Sequence, residues 1–140
     1  MPLKPLRTKD RFKEVKKHPG LAYLYAKDTL KRRWPEVEPL IMTEPRFASL
    51  YARDVIKDRW PEAEPLIMTV PSIATSYARD VIKDRWPEAE PFILKNKEPF
   101  WAYKYTKDVL KRRWPEAEPF IKKNDMYWNL YKTYLRKIKE

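Results

Sequence analysis

Tyr-Ala-Arg-Asp-Val-Ile-Lys-Asp-Arg-Trp-Pro-Glu-Ala-Glu-Pro occupies residues 51–65, and the same string returns at 77–91. Looser copies begin at Tyr25 and Tyr105, each ending in Trp-Pro-Glu-x-Glu-Pro. The tryptophans Trp34, Trp60, Trp86 and Trp114 stand 26, 26 and 28 residues apart. Self-similarity at a short fixed period is the signature of a repeat architecture, in which each copy is one supersecondary unit. The longer last interval contains two extra residues near 95–98, which belong in a loop between copies.

Working outward, each copy opens on a proline, at Pro19, Pro45, Pro71 and Pro99, and holds two helices. Helix A of the second copy is expected from about residue 46 to 59. Its residues Ala48, Tyr51, Ala52, Val55 and Ile56 fall at i, i+3, i+4, i+7 and i+8, one face of a 3.6-residue helix. Trp60 precedes Pro61, and a residue before proline is pushed out of the α region, so the helix is expected to stop there. Pro61 and Pro65 suit the start of a short helix B, where backbone N–H groups lack partners anyway. Glu62 and Glu64 are read as charges favourable to the N-terminus of that helix, with Ala63, Leu66 and Ile67 as its apolar face.

A hairpin this small cannot bury its apolar face alone, and stacking solves that. The expectation is an all-α chain, an α-solenoid of four two-helix repeats at 19–44, 45–70, 71–98 and 99–124, forming a single repeat domain over 1–140. Residues 1–18 form the N-terminal cap, a lone helix B with Phe12 and Val15 inward. Residues 125–140 form the C-terminal capping helix. There Tyr131 matches Tyr105, Leu135 matches Val109, and Trp128 and Tyr134 stand where Ala102 and Asp108 stood.

Composition narrows the function. Cysteine is absent, which excludes disulfides, thiolate catalysis and cysteine-based zinc sites. A reducing, cytoplasmic setting fits. One glycine against 14 prolines argues against tight β-hairpins. Residues 1–17 are basic without an apolar run, so a secretory signal is not expected. No apolar stretch is long enough to span a membrane.

The string at 51–65 is similar to short tandem helical-hairpin repeats of phage and large-virus proteins of poorly defined function. The resemblance covers residues 21–121. It implies a viral origin, host cytoplasm as the setting, and action on host or defence machinery. The near-identity of the second and third copies equally suits a consensus-engineered repeat.

Constant positions are read as architectural. Trp34, Trp60, Trp86 and Trp114 are expected to wedge between repeats rather than stack on bases. Asp28, Asp54, Asp80 and Asp108 are expected to form ion pairs or hydrogen bonds between neighbours. Paired Glu62 and Glu64 do not face each other at i, i+2, so no acid–base pair is expected there. His18, the lone histidine, reads as a solvated loop residue. With no nucleophile–base constellation, metal cluster or glycine-rich phosphate loop, neither an enzyme nor a cofactor or metal is expected.

Variable positions in a constant frame are the binding candidates. They are Arg46 and Phe100 near the start of helix A, then Tyr23, Ser49, Thr75 and Tyr103, on the same face as Lys27, Arg53, Arg79 and Lys107. Lys31, Lys57, Lys83 and Lys111 extend that stripe. An exposed stripe of aromatics beside cations suits a protein partner engaged by occlusion or scaffolding. Stacking of Tyr or Phe on bases, with Lys and Arg on phosphates, is the alternative; a structural repeat without ligand is the third reading. The net charge is +11, with +5 in 1–20, +4 in 99–124, +2 in 125–140 and none over the three segments between. A nucleic-acid reader would carry the excess in every repeat, since phosphates recur along the strand. A protein partner is therefore preferred.

Overall fold

The computed structural model describes residues 8–139, with side chains from residue 11 onward. Residues 1–7 of the N-terminal cap and residue 140 of the C-terminal cap lie outside the described residues. The described chain is all-α, with repeated helix pairs of the solenoid class. Its helices are α1 (Thr8–Val15), α2 (Pro19–Tyr25), α3 (Glu38–Ile41), α4 (Pro45–Tyr51), α5 (Glu64–Ile67), α6 (Pro71–Tyr77), α7 (Glu90–Lys95), α8 (Pro99–Tyr105), α9 (Glu118–Ile121) and α10 (Asp125–Lys139). The chain groups into two compact units, Met1–Ala63 and Glu64–Glu140. In the first, α2 packs on α1, α3 and α4; in the second, α8 packs on α6, α7, α9 and α10.

Helix A is shorter than the proline rule suggests. It begins at a proline in N1, where a missing N–H costs nothing. It ends in a widened turn, Ala52–Ile56 in the second repeat, whose closing bond runs from Lys57 N–H to Ala52 O at 2.7 Å. Lys57 itself is left-handed, with φ 60°. Lys31, Lys83 and Lys111 do the same, at φ 56°, 61° and 55°. The expected end at residue 59 is thus corrected to Ile56: a left-handed lysine, not the Trp-Pro junction, stops the helix. A Cβ in this region is crowded by the carbonyl oxygen, a cost of about 1–2 kcal/mol for most residues, and the sequence uses no glycine here.

The core is the constant set. Ala22, Ala26, Ala48, Ala52, Ala74, Ala78 and Ala102 are fully or almost fully buried, and their small size lets successive A helices approach closely. Trp34, Trp60, Trp86 and Trp114 are buried, each lying against the tyrosine nine residues before it, with ring centroids 5.1, 5.0, 4.9 and 5.0 Å apart from the first repeat to the fourth. Phe12 of α1 closes the N-terminal end by packing on Tyr25 and Trp34.

A polar node sits inside this apolar packing. Trp34 N–H donates to Tyr51 Oη at 2.8 Å, and Tyr51 Oη donates to Glu38 Oε2 at 2.7 Å. Arg33 grips the same carboxylate with two bonds, at 2.9 and 2.8 Å. The second unit repeats it with Trp86, Tyr105, Glu90 and Arg85, and again with Trp114, Tyr131, Glu118 and Arg113. Tyr77 likewise donates to Glu64 at 2.7 Å. Glu38, Glu64, Glu90 and Glu118 are all buried, so Glu64 and its equivalents are interior ligands of a tyrosine and more than solvated helix-terminal charges.

Replacing Tyr105 by Phe would strand the Trp86 N–H and a lone pair of Glu90 in the interior; unpaired buried polar groups cost roughly 1–3 kcal/mol each. Urea denaturation of Tyr105→Phe should show a loss of about that size with helical circular dichroism retained. Lys57→Gly should instead gain roughly 0.5–1 kcal/mol, since glycine accepts the left-handed conformation freely while only a modest charge–dipole interaction is given up. A shift of the urea midpoint in the opposite direction would contradict that account of the helix end.

Candidate functional site

Constant Trp, Ala, Ile and Glu positions fill the interior, so the surface candidates are what helix A and its C-terminal turn leave outside. The structure divides the sequence candidates sharply. Tyr23, Ser49 and Thr75 are buried, at 5, 7 and 2% exposure, and are corrected from surface contacts to packing residues. Tyr23 faces the neighbouring helix α4: its ring lies 6.3 Å from Phe47, and its hydroxyl donates to Asp54 of the next repeat. Thr75 Oγ1 donates to the Pro71 carbonyl at 2.8 Å. Tyr103 and Phe100 are half-buried, Phe100 meeting Trp101 edge-on at 4.8 Å and Tyr127 at 5.7 Å. Arg46 is exposed.

The cationic stripe is also altered. Lys31, Lys57, Lys83 and Lys111 are exposed but lie beyond the helix, on its left-handed turn, so they do not continue a helical face as the i+11 spacing predicts. Lys107 is exposed. The other cations stand beside carboxylates. Arg53 holds Asp54 with two bonds at 2.8 and 3.0 Å, and Arg79 holds Asp80 in the same way. Arg79 also reaches Asp108 of the following repeat at 3.4 Å, where Lys104 adds a contact at 3.1 Å. Lys27 lies 4.0 Å from Asp28, whose side chain is 64% exposed. Asp54 and Asp108 therefore join neighbouring repeats, while Asp28 sits in the first repeat without the setting that Tyr23 gives Asp54.

These surroundings set the titration. The Arg53 guanidinium holds Asp54 below the ordinary aspartate range, against the opposing effect of burial, and the Tyr23 hydroxyl helps. Burial, then the bond to Asp54, pushes Tyr23 up to about 12. At the nodes, burial alone would raise Glu38, but Arg33 and Tyr51 outweigh it and the carboxyl ends below its usual value. Glu118 is lowered chiefly by Arg113. Burial foremost, then the neighbouring carboxylate, raises Tyr51 and Tyr105 strongly and Tyr131 to about 12.

Once the cations are accounted for, a different feature stands out. The third residue of every helix A is large and apolar: Leu21, Phe47, Ile73, Trp101 and Tyr127. In the first unit Leu21 and Leu24 are each 44% exposed and, with Phe47, line a shallow hollow that also includes Gly20 and His18. A Cβ at Gly20 would stand 2.9 Å from the Phe47 ring, so the lone glycine is what lets Phe47 lie flat there. In the second unit Ile73, Trp101 and Tyr127 are half-buried, and Met126 and Leu130 of α10 are exposed. The signal was present as a position whose identity varies but whose apolar character does not. The tyrosine and buried glutamate of the node were also missed; their constancy in every copy was the signal.

No group of His, Asp and Glu placed to hold a metal occurs among the described residues, and none of their helices is long and apolar enough to cross a membrane. The chain is thus an all-α repeat protein whose surface offers apolar side chains between ion-paired charges. No protein-family model, no curated protein and no solved structure matches it.

Stability should depend on pH at both extremes, with definite sign. Carboxyls lowered on folding (Glu38, Asp54, Glu118) contribute stability above their unfolded values, and it is lost as pH falls through their lower folded ones. Tyrosines raised on folding contribute fully below the unfolded value of 10.0, and that contribution drains away as pH rises toward about 12. Urea midpoints measured at pH 7, 9 and 11.5 should be level over the first interval and fall over the second. Tyr131→Phe should flatten part of that fall.

Proposed function

We propose that this protein is a non-enzymatic binding module that docks on another protein through the outer face of its A helices. The observation that carries the reading is the apolar third position of helix A, kept through five different side chains and left partly exposed. Exposed apolar groups set among polar ones mark protein-interaction surfaces, and large aromatics such as Trp101 are the usual anchors. The cations nearby favour the same conclusion. Arg53 and Arg79 are committed to carboxylates, which leaves them poorly placed to neutralise phosphates. The resemblance to viral repeats makes a host or defence protein the partner class, with occlusion or scaffolding as the mode of action.

The test is capture from host lysate by the tagged protein, with and without nuclease, beside the double variant Leu21→Ser, Leu24→Ser. These side chains are already exposed, so the variant should keep its helical signal. A defined protein retained through nuclease by the wild type, and reduced at least tenfold by the variant, is the expected result. Partners that vanish with nuclease, together with steep salt dependence, would replace this reading by nucleic-acid binding. Reversing Arg53 or Arg79 is a poorer test, because it would also break the ion pairs that hold Asp54, Asp80 and Asp108.

A further inference from the structure

Within each unit charge passes from one repeat to the next, and Arg113 of the fourth repeat has no second carboxylate of this kind among the described residues. Lys16 of the N-terminal cap meets Glu36 of the first repeat at 2.7 Å. Glu62 of the second repeat adds its negative charge to Arg33 of the first, beyond the bidentate Glu38. Glu116 of the fourth does the same for Arg85 of the third. Arg113 keeps the inner partner, Glu118, at 2.8 Å. It has α10 beyond it, and from Met126 to Lys139 that helix carries no acidic residue. The Arg113 side chain is accordingly 67% exposed, against 48% for Arg33 and 38% for Arg85.

The same place lacks a second component. In each repeat the tyrosine of helix A is covered by the tryptophan nine residues later. Helix α10 supplies the tyrosine, Tyr131, with its full set of node bonds. It then runs on as helix to Lys139, past the position where Lys111 turns the chain, so no Trp-Pro turn folds back on it among the described residues. Trp128 stacks on Tyr131 instead, at 5.5 Å and 16°. What remains is a groove of about 500 Å³ between the turn of the fourth repeat and α10. Its apolar lining is Trp128, Leu135 and Ile138, and around it stand Lys132, Arg136 and Lys139, none of them paired with a carboxylate among the described residues. Glu118, the lone acid of the lining, is already held by Arg113 and Tyr131.

We propose that this groove docks an acidic peptide segment of a partner protein, which seats an aromatic or proline side chain on Trp128, Leu135 and Ile138 and brings a carboxylate to Arg113. The chemistry is that of the repeat's own Trp-Pro-Glu-x-Glu-Pro turn, supplied from outside. A second copy of this chain is the weaker occupant, since its net charge of +11 opposes a cationic groove. The site is separate from the apolar row on the A helices, and the two stand or fall independently.

The probe is the acetylated peptide Trp-Pro-Glu-Ala-Glu-Pro-Phe amide, copied from residues 114–120 and titrated into the isotope-labelled full chain by NMR. Saturable shifts of the Trp128 indole N–H and of the α10 amides are expected. A peptide with Gln in place of both Glu should bind at least tenfold more weakly, and so should the exposed double variant Lys132→Glu, Arg136→Glu, whereas Leu21→Ser, Leu24→Ser should bind as wild type. Absence of saturable shifts, or equal binding of the Gln peptide to the wild-type chain, overturns the proposal without reliance on any variant. So does concentration-dependent self-assembly in sedimentation that the Lys132→Glu, Arg136→Glu variant abolishes, which would assign the groove to another copy.

Discussion

A single buried hydroxyl organises this protein. The tyrosine of one repeat accepts the Trp N–H of the repeat before it and donates to that repeat's glutamate, while an arginine closes on the carboxylate from outside. Each element answers a problem created by another. The residue before proline lies outside any helix and carries a backbone N–H that faces inward, and buried donors require partners. A carboxylate in the interior is tolerable only when charged and hydrogen-bonded partners surround it. The tyrosine meets both needs with one oxygen, and its ring covers the neighbouring indole. Apolar stacking of alanine-faced helices supplies the bulk of the burial; the node fixes the register at which successive repeats sit, because a slip would leave three polar groups unpaired at once.

Much of this was legible in the sequence. The period, the two-helix repeat, the prolines that open each helix A, the inward alanines and the helix α10 all follow from patterns local to the chain. What was not legible depends on partners distant in sequence. Glu64 resembles any acid at a helix start until Tyr77 is seen beside it. Tyr23 looks like a surface aromatic beside cations until Asp54 and Phe47 of the next repeat enclose it. The left-handed lysines gave no warning, because lysine carries no preference for that conformation. Helical spacing extended past Ile56 therefore placed Lys57 on a face that does not exist. Positional comparison among copies was a partial guide: the constant Trp, Ala and buried Glu positions proved interior, the constant Lys57 and Glu62 are exposed, and Ser49 and Thr75 show that variation alone does not mean exposure.

The charge distribution follows the same economy of neighbours. Of the cations that the sequence presented as a stripe, Lys27, Arg53 and Arg79 stand beside carboxylates, Arg79 beside both Asp80 and Asp108, while the lysines of the left-handed turns stay exposed. The excess lies in residues 1–20 and 99–140, outside the three neutral segments between.

The split ownership of each node has an evolutionary consequence. Because the hydroxyl belongs to one repeat and the amide and carboxylate to the preceding one, a lone repeat satisfies neither half, whereas any junction between two is complete in itself. Gain or loss of a whole 26-residue period leaves the remaining junctions chemically unchanged; gain or loss of a fraction strands them. Recombination between near-identical stretches such as 51–65 and 77–91 yields whole periods only. Such a gene can lengthen or shorten by counting, with its two caps held constant, and so present a longer or shorter row of outward side chains without inventing a new fold.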